Sequence, residues 1–230
     1  MTRIRVKICG LTNDEDARAA LAAGADALGF NFWPGSKRFV DPVSAFPWIS
    51  SLPAGVIRIA VAVNPDFATA RGWLETPGID ALQLHGDETP EFCAQLRGAG
   101  HRIIKAIRVR DDAALRDALR YAKEIPLLLD TFRPGEPGGT GETMDWNLAA
   151  DFGRNHPERR VILAGGLIPG NVTDAVRRVR PFGVDVAGGV EIPNSPRRKD
   201  PSRMRAFMDA IQTLETDGSE GRKGGRSGFF

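Results

Sequence analysis

Two reactive side chains near the N-terminus share one face of a short predicted strand. Residues 3–9 read Arg-Ile-Arg-Val-Lys-Ile-Cys, and side chains alternate along a strand. Lys7 and Cys9 therefore lie on the same face, and Gly10 follows at once. An ammonium group stabilises a thiolate, and a free thiol has a pKa of about 8.5. We expect Cys9 to be a base or a nucleophile whose pKa Lys7 lowers; the alternative is a small buried hydrophobe.

A carboxylate closes a second apolar segment. Asp130 follows Pro-Leu-Leu-Leu at 126–129, and a carboxylate in such surroundings requires a partner or a purpose. One interpretation is a salt bridge to a lysine inside the fold. The other is a general acid whose pKa is raised by burial.

Glycines follow three of the apolar segments. A loop rich in glycine can present backbone N–H groups or close over a ligand. Paired glycines after late strands are typical of a phosphate site, although simple turns use them too. The glycines concerned are Gly139 in the run 138–141, the pair Gly165 and Gly166, and the pair Gly188 and Gly189.

Three more polar side chains fall at or after predicted strands. Arg38 lies in a loop, from which it can clamp a carboxylate bidentately. Asp185 is expected to pair with Lys7 or Arg5 inside the fold and so to influence Cys9. His85 is either a strand-end histidine with satisfied hydrogen bonds or a substrate contact.

Strands and helices alternate along the chain. The predicted strands are short and rich in Val, Ile and Leu, as expected for strands covered on both sides; they span 3–9, 26–31, 56–63, 80–84, 102–108, 126–130, 160–164 and 183–187. Thr12–Glu15 has the pattern of a helix capping box, and Gly24 ends that helix. Thr89–Pro90 and Asp200–Pro201 open two further helices.

Eight such units predict an α/β protein with a single (β/α)8 TIM barrel, the alternative being an open doubly wound sheet. The active site of a (β/α)8 barrel forms at the carboxyl ends of its strands. Cys9 on the first strand and Asp130 on the sixth would then lie on opposite sides of the barrel mouth. That spacing suits a base and an acid acting on two ends of one sugar.

Composition excludes several other classes of protein. The 230 residues include 31 basic and 29 acidic side chains, too balanced to favour nucleic-acid or membrane partners. No apolar run approaches the roughly 20 residues of a membrane span, and the N-terminus lacks a signal-peptide pattern. The two cysteines are expected to be reduced thiols of a cytoplasmic protein. The three histidines show no metal-binding spacing.

The composition changes near the C-terminus. Residues 217–230 are glycine-rich and unpatterned, so we predict a catalytic barrel over 1–215 and a disordered tail over 216–230. A nucleic-acid or partner tag is the alternative for the tail. Its three basic and two acidic residues would give little electrostatic attraction.

From about residue 3 to 214, the motifs resemble those of phosphoribosylanthranilate isomerase. The matching segments are Lys7–Thr12, Ser36–Val40, Gln83–Gly86, Leu129–Thr131, Gly138–Gly141, Asp145–Trp146, Leu163–Leu167, Asp185–Val186 and Gly189–Glu191. The combination is highly specific, whereas single pieces such as a double glycine are not.

The resemblance implies an enzyme of tryptophan biosynthesis that needs no cofactor or metal and binds a small phosphosugar. It implies an Amadori rearrangement of N-(5-phosphoribosyl)anthranilate with Asp130 as general acid and Cys9 as general base. Arg38 would hold the anthranilate carboxylate, and the glycine pairs would hold the phosphate. The other substrate-binding candidates are Lys7, His85, Gly139 and Asp185. A monomer is expected, with a homodimer as the alternative.

The chain departs from the family pattern at two adjacent positions that bear on the phosphate. The family usually carries two serines where this chain has Ala187 and Gly188, so we expect a somewhat weaker phosphate site. Two other readings stay open. A histidine-pathway or bifunctional isomerase would carry a carboxylate at the position of Cys9, and a barrel that only binds phosphometabolites would lack Cys9 or Asp130.

Overall fold

The computed structural model describes residues 3–131 and 145–217. Eight parallel strands close into a barrel in chain order, and a helix follows each strand. The strands are β1 (Arg5–Cys9), β2 (Ala27–Asn31), β3 (Ile57–Ala62), β4 (Ala81–Leu84), β5 (Ile103–Val109), β6 (Leu127–Thr131), β7 (Val161–Leu163) and β8 (Gly183–Val186). The helices are α1 (Asp14–Ala23), α2 (Pro42–Ser50), α3 (Phe67–Glu75), α4 (Pro90–Gly98), α5 (Asp112–Ala118), α6 (Trp146–Asn155), α7 (Val172–Val179) and α8 (Pro201–Asp217).

The TIM barrel prediction is confirmed, and the open doubly wound sheet is wrong. Strands β1 and β8 pair in parallel with Lys7 opposite Asp185, which closes the barrel. Alternating side chains then form two apolar layers. The smaller layer fills the barrel interior and contains Ala27, Ile59, Ala81, Ile104, Leu128 and Ile162. The larger layer, which includes Val6, Ile8 and Leu28, lies between the strands and the helices.

Helix ends follow local capping chemistry. Helix α1 is capped by Asn13, whose side chain accepts a hydrogen bond from the Asp16 amide, so the predicted capping box at Thr12 is one residue early. Gly24 ends the helix with φ of 99°, as expected for a left-handed cap. Thr89 caps α4, as predicted.

An irregular segment separates β8 from α8. Gly188–Val190 form a 3-10 turn, and the short antiparallel strands β9 (Glu191–Ile192) and β10 (Ser195–Lys199) follow it. The Asp200 amide donates to the Val190 carbonyl at 2.9 Å. The first turn of α8 therefore lies beside the 3-10 turn. Within the described ranges, no helix is long and apolar enough to cross a membrane.

Candidate active site

A cavity of about 370 Å³ opens at the carboxyl ends of the barrel strands. Most of the predicted site residues line it: Cys9, Arg38, His85, Asp130, Gly165, Gly166, Asp185, Gly188 and Gly189. Lys7 does not line the cavity, but its ammonium group contacts Asp185, which does. Gly139 lies outside the described residues.

Lys7, Asp185 and Cys9 form a buried cluster at the junction of β1 and β8. The Lys7 Nζ donates to Asp185 Oδ1 at 2.8 Å, and Lys7 is completely buried. Lys7, and not Arg5, is therefore the partner of Asp185. Gly29 on β2 faces this cluster, since a Cβ atom there would lie 2.7 Å from Cys9 Sγ and 3.0 Å from Lys7 Nζ. The sequence analysis missed this glycine.

The cluster raises the pKa of the Cys9 thiol instead of lowering it. Burial is the largest cause, because it disfavours the thiolate. Lys7 opposes this effect, whereas Asp185 adds to it. Burial also opposes the charge on Lys7, but Asp185 and Cys9 outweigh it and raise the pKa of Lys7. Lys7 therefore lowers the pKa of Cys9, as expected, but burial outweighs this effect and the net shift of the thiol is upward.

Asp130 ends β6 next to a histidine. Its Oδ1 accepts a hydrogen bond from the Thr131 amide at 2.9 Å, and its Oδ2 lies 3.3 Å from His85 Nε2. The His85 contact is within ion-pair distance but lacks hydrogen-bond geometry. Gln83 lies behind it, with its Nε2 3.3 Å from His85 Nδ1. Gln83, His85 and Asp130 thus form a row of neighbouring polar side chains from the end of β4 to β6.

The partner of Asp130 is not the lysine that one of the two interpretations predicted. The buried lysine of the neighbouring strand β5, Lys105, pairs with Glu88 at 2.8 Å. Asp130 contacts His85 instead, and no lysine of the described residues forms the predicted salt bridge with it. This arrangement leaves the Asp130 carboxyl group on the cavity wall.

Arg38 reaches the cavity from the loop after β2, where Glu191 already holds it. The guanidinium donates from Nε to Glu191 Oε1 at 2.5 Å and from a terminal nitrogen to Oε2 at 2.9 Å. Lys199 also contacts Glu191 Oε1 at 3.1 Å. One terminal nitrogen of Arg38 is not used by Glu191 and is available to a ligand carboxylate.

Sequence reasoning did not single out Glu191 or Lys199, although Glu191 stands directly after the second glycine pair and Val190. The position of Glu191 could have indicated its role, because a charged residue next to a proposed phosphate turn requires a partner. The network joins the β2 loop to the segment after β8.

The glycine pairs occupy positions that other residues fit poorly. Gly165 and Gly166 have φ of 80° and 65°, in the left-handed region that glycine adopts easily. A Cβ atom on Gly189 would collide with the Leu167 carbonyl oxygen. Gly188 begins the 3-10 turn that follows β8. Arg203, another residue that the sequence analysis missed, also lines the cavity.

The comparisons with known proteins agree with this geometry. The family model described as N-(5'phosphoribosyl)anthranilate (PRA) isomerase matches residues 6–210. The chain belongs to this family. The N-(5'-phosphoribosyl)anthranilate isomerase of Chromohalobacter salexigens is 46% identical over 213 residues, which cover 92% of this chain and 95% of the relative. The enzyme of the same name from Desulforudis audaxviator is 48% identical over 206 residues, 88% of this chain and 95% of that one.

Solved structures of PRA isomerases superpose over the same region. The enzyme from Thermotoga maritima has a TM-score of 0.83 and 39% identity, and it matches 92% of this chain and 100% of its own. A PRA isomerase in complex with reduced 1-(o-carboxyphenylamino)-1-deoxyribulose 5-phosphate has a TM-score of 0.79 and 37% identity, with the same coverage. The resemblance drawn from the motifs is therefore confirmed at the level of the family.

Proposed function

We propose that this chain converts N-(5'-phosphoribosyl)anthranilate to 1-(2-carboxyphenylamino)-1-deoxyribulose 5-phosphate in tryptophan biosynthesis, with Cys9 as general base and Asp130 as general acid. One observation carries the assignment of roles. A thiol from β1 and a carboxyl group from β6 line the same cavity at the barrel mouth. Both proton-transfer groups can thus reach one bound sugar, and the family match supports the substrate.

The protein makes one proton transfer for ring opening and one for enolisation, and the rearrangement needs no external reactant. The Asp130 carboxyl group donates a proton to the furanose ring oxygen as the bond from this oxygen to C1 breaks. The lone pair of the anilino nitrogen forms the C=N bond of a protonated Schiff base. Cys9 thiolate then removes the C2 proton, and the C–H electrons form the C1=C2 bond of an enolamine. The enolamine tautomerises to the ketone, so substrate and product are isomers.

The Schiff base itself helps Cys9 to act as a base. Burial favours the neutral form of the Cys9 thiol, as its raised pKa indicates. A cationic intermediate would add a positive charge to that of Lys7, and a nearby cation favours a thiolate. The base is therefore most effective when its substrate carries the positive charge.

The remaining site residues have binding roles in this proposal. Arg38 binds the anthranilate carboxylate through the nitrogen that Glu191 leaves free. The two glycine pairs bind the phosphate, and His85 orients Asp130 and contacts the sugar. Lys7 and Asp185 set the charge beside Cys9 and the substrate. Gly139 is proposed as a contact on the resemblance alone, and the proposal requires no cofactor or metal.

We also propose a monomer with a barrel over 1–215 and a tail over 216–230. A related enzyme, from Thermotoga maritima, is described as dimeric. Large exposed apolar side chains of the described residues are isolated in the sequence: Val43, Ile168 and Ile192. Single exposed apolar residues are ordinary on a monomer. A cytoplasmic location suits a base that must remain a reduced thiol.

The decisive experiment follows the loss of anthranilate-type fluorescence with freshly made substrate. We expect the wild-type protein to consume the substrate, and Cys9→Ser and Asp130→Asn each to lower kcat about 10²–10⁴-fold, because each removes one proton-transfer group. Cys93→Ala is the matched control, since that thiol is buried on α4 away from the cavity. An inactive wild type, or full activity in both site variants, would contradict the proposal.

A further inference from the structure

Two cationic side chains of the cavity have no role in the proposed mechanism. Among the described residues, the lysine and arginine side chains that line the cavity are Lys37, Arg38 and Arg203. Glu191 neutralises Arg38 through two hydrogen bonds. Lys37 is its exposed neighbour in the loop after β2. Arg203 comes from the opposite end of the chain, on the first turn of α8.

The fold carries Arg203 to the glycine-rich turn after β8. The Asp200 amide donates to the Val190 carbonyl at 2.9 Å, which fixes the start of α8 against this turn. Arg203 follows three residues later, within the first turn of the helix. Arg203, Gly188 and Gly189 all line the same cavity, so the three residues border a common ligand space.

The guanidinium of Arg203 is also free to change partners. Its ion pair with Asp200 is a long one, with Nε 3.8 Å from Oδ2, and its side chain is 46% exposed. The same carboxylate is already engaged, because Asp200 Oδ1 accepts from the Ser202 and Arg203 amides. An exposed pair at this distance contributes little stability. Moving Arg203 away from Asp200 therefore costs little.

We propose that Arg203 binds the phosphate of the substrate together with the amides of the Gly188–Val190 turn. This inference rests on the proposed function and names a residue that determines its phosphate specificity. A guanidinium offers two parallel N–H donors and a full positive charge to a phosphate. The turn amides supply hydrogen bonds but no formal charge, so the two groups complement each other.

The test compares Arg203→Ala with Arg205→Ala. Arg205 lies on the same helix, is exposed and is not among the cavity-lining residues, so it controls for the loss of one positive charge. We expect Arg203→Ala to raise both KM and the inhibition constant of inorganic phosphate about ten-fold, the lower end for a hydrogen bond to a charged group. The kcat should change little, and Arg205→Ala should leave all three constants unchanged.

Two results would overturn the proposal: unchanged constants in Arg203→Ala, or equal increases in both variants. Arg203→Gln keeps the side-chain length without the charge and replaces the alanine variant if that variant fails to fold. Calorimetric titration with inorganic phosphate separates this proposal from the proposed function. If the wild type does not isomerise the substrate but binds phosphate through Arg203, the function is wrong and the phosphate site stands. If the wild type isomerises the substrate, but Arg203→Ala and Arg203→Gln bind phosphate as tightly as the wild type, the proposed function stands and only the role of Arg203 is wrong.

Discussion

At the scale of single residues, Cys9 lies in surroundings that favour the neutral thiol. Burial and Asp185 raise its pKa more than Lys7 and Lys199 lower it. Its base strength is high once it is ionised, because a thiolate that forms with difficulty accepts a proton readily. Cys9 is thus a strong base, but little of it is ionised until the cationic intermediate forms beside it.

This view of Cys9 makes a prediction about alkylation. The thiolate is the reactive form, so the rate of Cys9 alkylation by iodoacetamide should keep rising with pH beyond the range in which an ordinary free thiol ionises, because the pKa of Cys9 is raised. Burial raises the pKa of Cys93 to about 12, so this cysteine should react only after unfolding. Peptide mass spectrometry would measure both rates. A rate for Cys9 that levels off near neutral pH would contradict the raised pKa.

The Lys7–Asp185 pair should matter more to stability than exposed ion pairs do. Asp185→Asn leaves the fully buried Lys7 ammonium without its charge partner, so the free energy of unfolding should fall by about 3–5 kcal/mol. Glu75→Gln is the control, because it breaks the exposed pair with Arg71 and should cost only about 0.3–0.5 kcal/mol. Urea denaturation measures both. Equal losses in the two variants would mean that burial does not distinguish the pairs.

At the scale of elements, the segment after β8 connects the parts of the site. Gly188–Val190 form the proposed phosphate turn, and Glu191 follows it to hold Arg38 from the β2 loop. Lys199 returns from β10 to the same carboxylate and also donates to the Ala187 carbonyl at 3.0 Å. The turn and the proposed carboxylate-binding arginine are therefore held by one buried charge network.

Substitutions at two glycines should have opposite effects, because Gly189 is closely packed and Gly72 is not. Gly189→Ala forces a Cβ atom onto the Leu167 carbonyl oxygen, so it should destabilise the protein by about 1–3 kcal/mol and raise KM. Gly72→Ala lies within α3 with open space around the new methyl group, and it should stabilise by about 0.5–1 kcal/mol. Thermal unfolding and steady-state kinetics would record both effects. If Gly189→Ala had the same KM as the wild type, the turn would have no part in substrate binding.

At the scale of the whole molecule, α8 completes the ring of helices. Its buried side chains are Met204, Phe207, Met208, Ile211 and Leu214, and its packing against α1 covers the seam where β1 meets β8. The barrel thus depends on an element that lies at the end of the described chain.

Two truncations test where the folded unit ends. A chain that stops after Asp217 keeps all of α8, so its melting temperature and kcat/KM should equal those of the full chain. A chain that stops after Lys199 loses the five buried apolar side chains of α8 and should not give a cooperative unfolding transition. Loss of activity in the longer truncation would show that the tail contributes to the enzyme.

Much of the fold follows from the sequence because its cause is local. The eight strands lie within two residues of their predicted bounds. Short β-branched runs between helical segments have few other ways to bury their apolar side chains. Helix α1 shows the limit of local reasoning: both Thr12 and Asn13 are good caps, and Thr12 instead donates to the Arg197 carbonyl from the distant β10 strand. Such a choice depends on which element lies nearby.

The barrel, the family and the groups at the strand ends could be predicted from the sequence, because side-chain alternation and motif order are properties of the chain. The pairing of those groups depends on contacts between distant elements. Lys7 takes Asp185, 178 residues away, Asp130 takes His85 instead of a lysine, and Arg38 is held by Glu191. The direction of the Cys9 pKa shift also depends on the tertiary structure. Burial depends on everything that covers a residue, and it outweighs the single lysine visible next to Cys9 in the sequence.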